Sequence, residues 1–485
     1  MTTKSSTDIN LKKILIAGEW TETETTLEVC SPYDSRVVGV TCLGSETDFA
    51  RAATAAKEAF GELKLWPAHK RAALLVSIAE SISARKKEFA TTISDEAGKP
   101  IKEARAEVAR AENTFRIAAE EAKRMGGEVL PLDVAPGADG RFGLLRRFPV
   151  GPVLGISPFN FPLNLVAHKV APALAVGCPI ILKPASATPL SALLLGEIVV
   201  EAGLETGLPK GSLSVIPADG PVVGTLLENP AIKKLTFTGS PEIGWMLRAK
   251  TGTRKVTLEL GGNAGVIVMD DANVEHAAQR CITGAFANAG QVCISVQRIY
   301  VHSSVFDKFR DSFVAKAKNL VTGDPAEETT DLGPMIDPGA IEKTLKWVDA
   351  AVEGGATLLT GGAREGNILA PTVLTGTTPD MSVCSDELFA PVVILEPFDS
   401  FDSVLEAVNR GPFGLQAGLF TSNMNLILKA YETLEVGGVI AGDIPTFRTD
   451  NMPYGGVKSS GYGREGVKYA MEEMCETRLL VLQKP

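Results

Sequence analysis

The chain runs to 485 residues, 45% of them hydrophobic and 22% charged, with a formal net charge of −10. That length supports two or three domains around a large core and excludes a mini-protein held together by disulfides. The acidic balance disfavours nucleic acid and anionic membrane as partners. The seven cysteines, unevenly spaced and without a CxxC pair, argue for free thiols in a reducing compartment.

The opening "MTTKSSTDINLKK" has no apolar signal region, and no later run reaches the roughly 18–20 apolar residues of a membrane span, so a cytoplasmic protein is expected. From about Asp48 to Arg124, alanine-rich amphipathic runs such as "FARAATAAKEAFGEL" predict helices. Met125 to Val150 sets two β-like runs around a Pro/Gly/Asp turn, which predicts a hairpin, either a subunit-pairing arm or a plain surface ribbon. From Gly151 the short apolar runs "GPVLGISPF", "PIILKPA", "GSLSVIPA", "IKKLTFTGS" and "KVTLELGG" alternate with helical stretches. That rhythm predicts an α/β fold with a parallel sheet covered on both faces. A second α/β series starts near "AGVIVMDDAN", and a third comprises "APTVLTG", "PVVILEPF" and "GLQAGLFTS". The terminal "TRLLVLQKP" predicts a short strand with no obvious partner.

Ligands of open α/β sheets sit beyond the carboxyl ends of the strands, which draws attention to "ISPFN", "KPAS", "TGS" and "ELGGN", each directly after an apolar run. No GxGxxG follows a strand, so a dinucleotide, if bound, is not held by the usual glycine fingerprint. Cys293 follows a small, glycine-bearing run in "GAFANAGQVCISVQR", and a thiol with an ordinary pKa of about 8.5 requires activation. None of the four histidines (His69, His168, His276, His302) sits in a motif-like turn, which leaves a carboxylate as base. Glu259, between two leucines at a strand end, is the leading candidate; a salt-bridged structural glutamate is its other reading. Asn160 offers an amide that could complete an oxyanion hole with the Cys293 backbone N–H, or could simply cap a helix. Lys183 reads equally as a ribose or phosphate contact and as a solvated lysine. No His/Cys/Asp cluster has ligand spacing, so no metal is expected.

Together, "ISPFNFPLN", "ILKPAS", "FTGS", "LELGGN", "GQVCIS", "DELFAPV" and "MPYGGVKSSGYGREG" resemble, in order and spacing, the motifs of the NAD(P)-dependent aldehyde dehydrogenase superfamily, essentially end to end. The resemblance implies a Rossmann-like cofactor domain (1–124 and 148–258) and an α/β catalytic domain (259–470). It also implies an oligomerisation β-hairpin with the C-terminal strand (125–147 and 471–485), the strand pairing across a subunit interface in a homodimer or homotetramer. In that likeness Cys293 is the catalytic thiol, Glu259 the general base, Asn160 the oxyanion donor, and Lys169 with Glu465 a proton relay. The implied cofactor contacts are Ile156, Ser157, Pro158, Phe159, Lys183, Ala185, Ser186, Gly220, Gly224, Phe237, Ser240, Leu260, Glu387 and Phe389. Lys183 and Glu387 would meet the two riboses, Phe389 the nicotinamide and Ser240 the pyrophosphate.

Ser186 stands where NAD-preferring relatives carry glutamate; serine neither chelates a 2′-hydroxyl nor repels a 2′-phosphate, so NAD or NADP is expected, with NADP tolerated. The segments "AAEEAKRMGGEVLP" and "TFRTDNMPYGG" look most like the branch of lactaldehyde and non-phosphorylating glyceraldehyde-3-phosphate dehydrogenases, in which basic residues hold an anionic or hydroxylated aldehyde. Arg110 occupies a matching helix position and Arg448 lies close to the branch's arginine, though an interface or surface cation is an equal reading of Arg448. Val292 and Phe161 stand where phosphate-binding members carry arginine and tyrosine. The expected substrate is therefore a short hydroxyaldehyde or semialdehyde, such as lactaldehyde or succinate semialdehyde, ahead of a triose phosphate. Glu259 favours hydrolysis of the acyl intermediate over its transfer to coenzyme A.

Overall fold

The computed structural model describes residues 11–484; most of the polar opening run lies outside the described residues. The helical region resolves into Glu46–Leu63, Ala68–Ala84, Lys86–Ala97 and Ile101–Arg124. The first starts on a capping box, in which the Ser45 hydroxyl accepts from the Asp48 N–H and the Asp48 carboxylate accepts from the Ser45 N–H.

Five parallel strands form the centre of the first sheet, in the order Lys255–Glu259, Lys234–Thr238, Val153–Ile156, Ile180–Lys183, Leu213–Val215. Both faces are buried, which is why these strands read as continuous apolar runs. Val153, Ile180 and Leu182 face the core shared with the helices Ala68–Ala84, Ile101–Arg124 and Asn164–Val176. Leu154, Ile156, Ile181, Leu235 and Phe237 face the opposite core, which includes Phe49 and Ala52 of the first helix. The chain order reverses between Val153–Ile156 and its neighbour Lys234–Thr238, and such a switch point opens a crevice at the carboxyl ends.

Leu260 to Asn263 carry the chain into a second sheet, whose order is Thr357–Thr360, Thr372–Thr375, Val392–Phe398, Val296–His302, Ala264–Val268, Gln416–Phe420, Gly438–Ala441. All its pairings are parallel except the first. The amino ends of these strands therefore receive the chain leaving the carboxyl ends of the first sheet.

Glu128–Pro131 and Arg141–Pro149 form the expected hairpin. The C-terminal strand Cys475–Gln483 does find a partner, and it lies in the same chain: the strand pairs antiparallel with Arg141–Pro149 along its whole length. This within-chain pairing uses one edge of the strand, and the expected pairing across a subunit interface would use the other. The sequence could not show the within-chain pairing, because the partners lie more than 300 residues apart. Among the described residues, no helix is long and apolar enough to cross a membrane, and no group of three or more His, Cys, Asp or Glu side chains could hold a metal ion.

Candidate active site

The thiol loop is built by strained backbone. After the helix Val274–Phe286, Asn288, Ala289 and Gly290 take φ values of 49°, 55° and 70°, a left-handed run that only surrounding contacts sustain. The Asn288 N–H donates to the Glu103 carboxylate at 2.9 Å, and Gln291 ties the loop down through Asn288 O (3.1 Å) and the Ile336 N–H (3.0 Å). At Gly290 a Cβ would lie 2.2 Å from the Ala390 carbonyl oxygen, so glycine is needed for close approach as well as for φ. Cys293 follows, set among Val292, Ile294, Leu415, Tyr454 and Phe161. Its Sγ lies 2.9 Å from Tyr454 Oη. Burial pushes the thiol up to about 11, with Arg448 pulling the other way.

Glu259 ends the strand Lys255–Glu259 and is 2% exposed, with neither carboxyl oxygen hydrogen-bonded. Burial, and then the nearby Glu465 charge, hold it well above the usual carboxylate range, while Arg448, Lys169 and Arg464 oppose them. It is therefore not the salt-bridged structural glutamate of the alternative reading. Glu465 takes the ion pair instead, with Lys169 Nζ at 2.9 Å, and stays below its ordinary value although burial alone would raise it. Lys169 also donates to Thr238 Oγ1 at 2.7 Å and to Thr236 Oγ1 at 3.3 Å, so its ammonium sits against the carboxyl end of the strand Lys234–Thr238.

Asn160 does not cap the following helix. That helix begins at Asn164, and the Leu163 and Asn164 N–H groups donate to the buried Glu107 carboxylate at 2.9 and 3.0 Å. The Asn160 side-chain amide donates instead to the Gln291 carbonyl at 2.8 Å, which fastens the strand-to-helix turn of the first sheet to the thiol loop of the second. Its own carbonyl accepts from Lys99 Nζ at 2.7 Å.

Two arginines were candidate substrate contacts, and the structure separates them. Arg110 donates to Asp450 at 2.8 Å, and His168 Nε2 meets the same carboxylate oxygen at 2.8 Å, so Arg110 is paired and His168 is a buried core residue held by that carboxylate, with Nδ1 unbonded. Arg448 is only 7% exposed at its side chain, and its Nε and Nη2 have no hydrogen-bond partner. Its guanidinium carbon lies 3.7 Å from the Tyr454 ring centroid, and Nη2 is 3.8 Å from Glu465. The surface-cation reading of Arg448 therefore fails. Val292 is buried against the thiol and Phe161 half-buried beside it; Lys99 Nζ stands 3.9 Å from the Phe161 ring centroid.

Many of the cofactor candidates lie at or just beyond the carboxyl ends of the first sheet's strands, around the switch point. Ile156 and Phe237 pair on neighbouring strands, and Ser157, Pro158 and Phe159 continue from the first of them. Ser157 Oγ is buried without a partner. Lys183 ends its strand, mostly buried and pushed below the usual lysine value by that burial. Ala185 and Ser186 lie just beyond it, and Ser186 Oγ donates to the Ala218 carbonyl at 3.2 Å. Gly220 and Gly224 lie on the helix Gly220–Leu226, and Ser240 precedes the helix Pro241–Lys250 with a hydroxyl free of capping duty. Glu387 accepts from the Gly262 N–H at 2.9 Å, and burial lifts it to about 7. A Cβ on Gly261, just after Leu260, would lie 2.1 Å from that carboxylate, which explains the paired glycines. Phe159 and Phe389 meet edge to face at 6.0 Å, with Phe389 at φ 52°. Unpartnered Ser157, a buried lysine and a half-satisfied carboxylate around one crevice fit the hydroxyls and phosphates of a dinucleotide.

Cys293, Glu387 and Phe389 lie before strands, at the amino ends of the second sheet, a placement the search after apolar runs does not anticipate. Tyr454 and Asp450 were missed. Tyr454 stands inside "MPYGGVKSSGYGREG", where the glycines draw the eye, and nothing in one dimension shows that a phenol reaches the thiol.

An aldehyde dehydrogenase family model matches residues 20–480. The chain is 45% identical over 99% of both chains to the 3-sulfolactaldehyde dehydrogenase of Priestia megaterium. Its fold superposes with TM-score 0.96, at 43% identity and 98% coverage of each chain, on aldehyde dehydrogenase 21 of Physcomitrella patens in complex with the reaction product succinate. It also matches the glyceraldehyde-3-phosphate dehydrogenase GapN of Methanocaldococcus jannaschii complexed with NADP, at TM-score 0.91 and 40% identity, covering 94% of this chain and 99% of that one. The family and branch expected from the sequence are both borne out: the chain belongs to the aldehyde dehydrogenase family, as an NAD(P)-dependent oxidoreductase acting on aldehydes through a cysteine thioester.

Proposed function

We propose that the chain oxidises a short aldehyde carrying an anionic or hydroxylated far end, and that Arg448 binds that end. The observation that carries the reading is a buried guanidinium next to the thiol with two of its nitrogens unbonded. A desolvated cation of this kind is stabilised by a charge-assisted bond to a carboxylate or sulfonate. The similar enzymes named for 3-sulfolactaldehyde and solved with succinate support the same class. Likeness to GapN supports glyceraldehyde 3-phosphate as a second reading. Val292 and Phe161 weigh against it, since neither supplies a charge for a phosphate.

In this reading Cys293 attacks the aldehyde carbon, and the second N–H of the Asn160 amide with the Cys293 backbone N–H receives the developing oxyanion. Ser157, Lys183, Ser240 and Glu387 hold the dinucleotide, which supplies the two-electron acceptor that converts the thiohemiacetal to a thioester. Glu259 takes a proton from the water that hydrolyses the thioester, and the Glu465–Lys169 pair passes charge away from it. Ser186 places no carboxylate beside a 2′-phosphate, so both NAD and NADP serve. Residues 1–124 with 148–258, 259–470, and 125–147 with 471–485 form the cofactor, catalytic and oligomerisation domains of a cytoplasmic homo-oligomer. In support of the last, Leu479 to Leu482 are 38–54% exposed on a strand that is mostly bare on both faces.

The test is Arg448→Gln assayed with succinate semialdehyde, lactaldehyde, glyceraldehyde 3-phosphate and propanal, with NAD and NADP in parallel. The expected result is a fall of about tenfold or more in kcat/KM for the anionic aldehydes relative to propanal, the size of one lost charge-assisted contact. An equal effect on all four removes Arg448 from substrate binding.

A further inference from the structure

We propose that Tyr454 is a catalytic residue of the thiol step: its phenol donates a hydrogen bond to the Cys293 sulfur and holds the thiolate in an otherwise apolar pocket beneath the Arg448 guanidinium. The proposal deepens the reading above and rests on it, because it takes Cys293 as the nucleophile.

The pocket poses a problem that no other group solves. Val292, Ile294, Leu415 and Phe161 surround the sulfur, and none of them can solvate an anion. The charges acting on it are Glu387 and Glu259, which oppose a thiolate, and Arg448, which favours one. Lys169 is taken up by its ion pair with Glu465 at 2.9 Å. Among the described residues, the one side-chain hydrogen-bond partner of the sulfur is Tyr454 Oη, at 2.9 Å.

The phenol is suited to the task. It is 3% exposed, and burial followed by the Cys293 charge keeps its own ionisation well above normal, so it remains an O–H donor across the neutral range. The Arg448 guanidinium carbon lies 3.7 Å from the ring centroid. A cation over the ring face draws density from the phenol and strengthens its O–H as a donor. The proton balance is simple. The thiol proton leaves Cys293 for solvent water, so Glu259 remains available for the later hydrolysis, while the phenol keeps its own proton and points it at the sulfur. Once the sulfur–carbon bond forms, the sulfur no longer carries the charge and the hydrogen bond relaxes. One arginine thus serves the ring on one side and the substrate's charged end on the other.

Tyr454→Phe keeps the ring and the Arg448 stack and removes only the hydroxyl. The full chain, without cofactor, is alkylated with iodoacetamide across a pH series, and modification at Cys293 is read from its peptide mass, with exposed Cys30 as internal reference. In Tyr454→Phe the apparent pKa of Cys293 should rise by about one unit, so that alkylation near pH 7.5 slows about tenfold. Cys30 should react unchanged. Arg448→Gln, which keeps the phenol and removes the cation, should shift Cys293 the same way by less, and it serves as the readout if Tyr454→Phe does not fold. An unmoved Cys293 profile in a folded variant overturns the proposal, as does a uniform slowing with no change in pKa. Failure of the underlying reading looks different: Cys293→Ala would then still oxidise aldehydes.

Discussion

At the scale of single residues, what separates Glu259 from the other buried carboxylates is an absence of partners. Glu465 has Lys169 at 2.9 Å and Glu107 has two backbone N–H groups, whereas both oxygens of Glu259 are unbonded. An unpartnered carboxyl that burial holds well above its usual range is a stronger base once ionised. The sign of the pH effect follows. The ionised form is the base, so hydrolysis of the acyl intermediate should rise with pH through a pKa above the ordinary carboxylate range and be lost as pH falls through it. Stopped-flow measurement of thioester breakdown should show this limb in the wild type and lose it in Glu259→Gln, with the rate lowered about a hundredfold or more. Cys293 and Glu259 stood out in the sequence by their chemistry, whereas Asn160 alone read as a helix cap and the roles of all three came from the motifs that carry the family resemblance. Arg448 and Arg110 were not distinguishable there: only the fold shows that Asp450 pairs with Arg110 and leaves Nε and Nη2 of Arg448 without a hydrogen bond. Tyr454 carried no signal at all, since its role is a distance.

At the scale of elements, one helix start controls much of the site's framework. The Glu107 carboxylate accepts from the Leu163 and Asn164 N–H groups and pairs with Lys99, whose ammonium also donates to the Asn160 carbonyl. An anion at a helix N-terminus satisfies groups that would otherwise be orphaned. Here it also fixes Asn160. Glu107→Ala leaves a buried ammonium without its counter-charge and two N–H groups without partners, and should cost about 3–5 kcal/mol. The check is the thermal midpoint, which Glu107→Gln should lower less because an acceptor remains. A midpoint unchanged in Glu107→Ala would show that water replaces the carboxylate. The strand and helix rhythm from Gly151 to Glu259 was legible because each strand is a short apolar run buried on both faces, set between longer helical segments that cover the sheet. The amino-end placement of Cys293, Glu387 and Phe389 was not, because it depends on how two sheets meet.

At the scale of the whole molecule, the crossing from Glu259 to Ala264 joins the two sheets, so that the carboxyl ends of one face the amino ends of the other. Glu259 and most of the cofactor candidates come from the first sheet; Cys293, Glu387 and Phe389 come from the second. The Asn160 amide on the Gln291 carbonyl, at 2.8 Å, bolts the halves together beside the sulfur. The C-terminal strand was readable as a strand but not in its pairing, which spans the chain. The central claim is that the fold brings the Cys293 thiol and the Glu259 carboxyl to one acyl group, the first to form it and the second to release it. The most direct measurement is peptide mass mapping of Glu259→Gln quenched after mixing with cofactor and succinate semialdehyde. The account predicts one equivalent of reduced cofactor per site and a succinyl group accumulating on the peptide that contains Cys293. A burst with no acyl group on Cys293, or full turnover by Glu259→Gln, would contradict it.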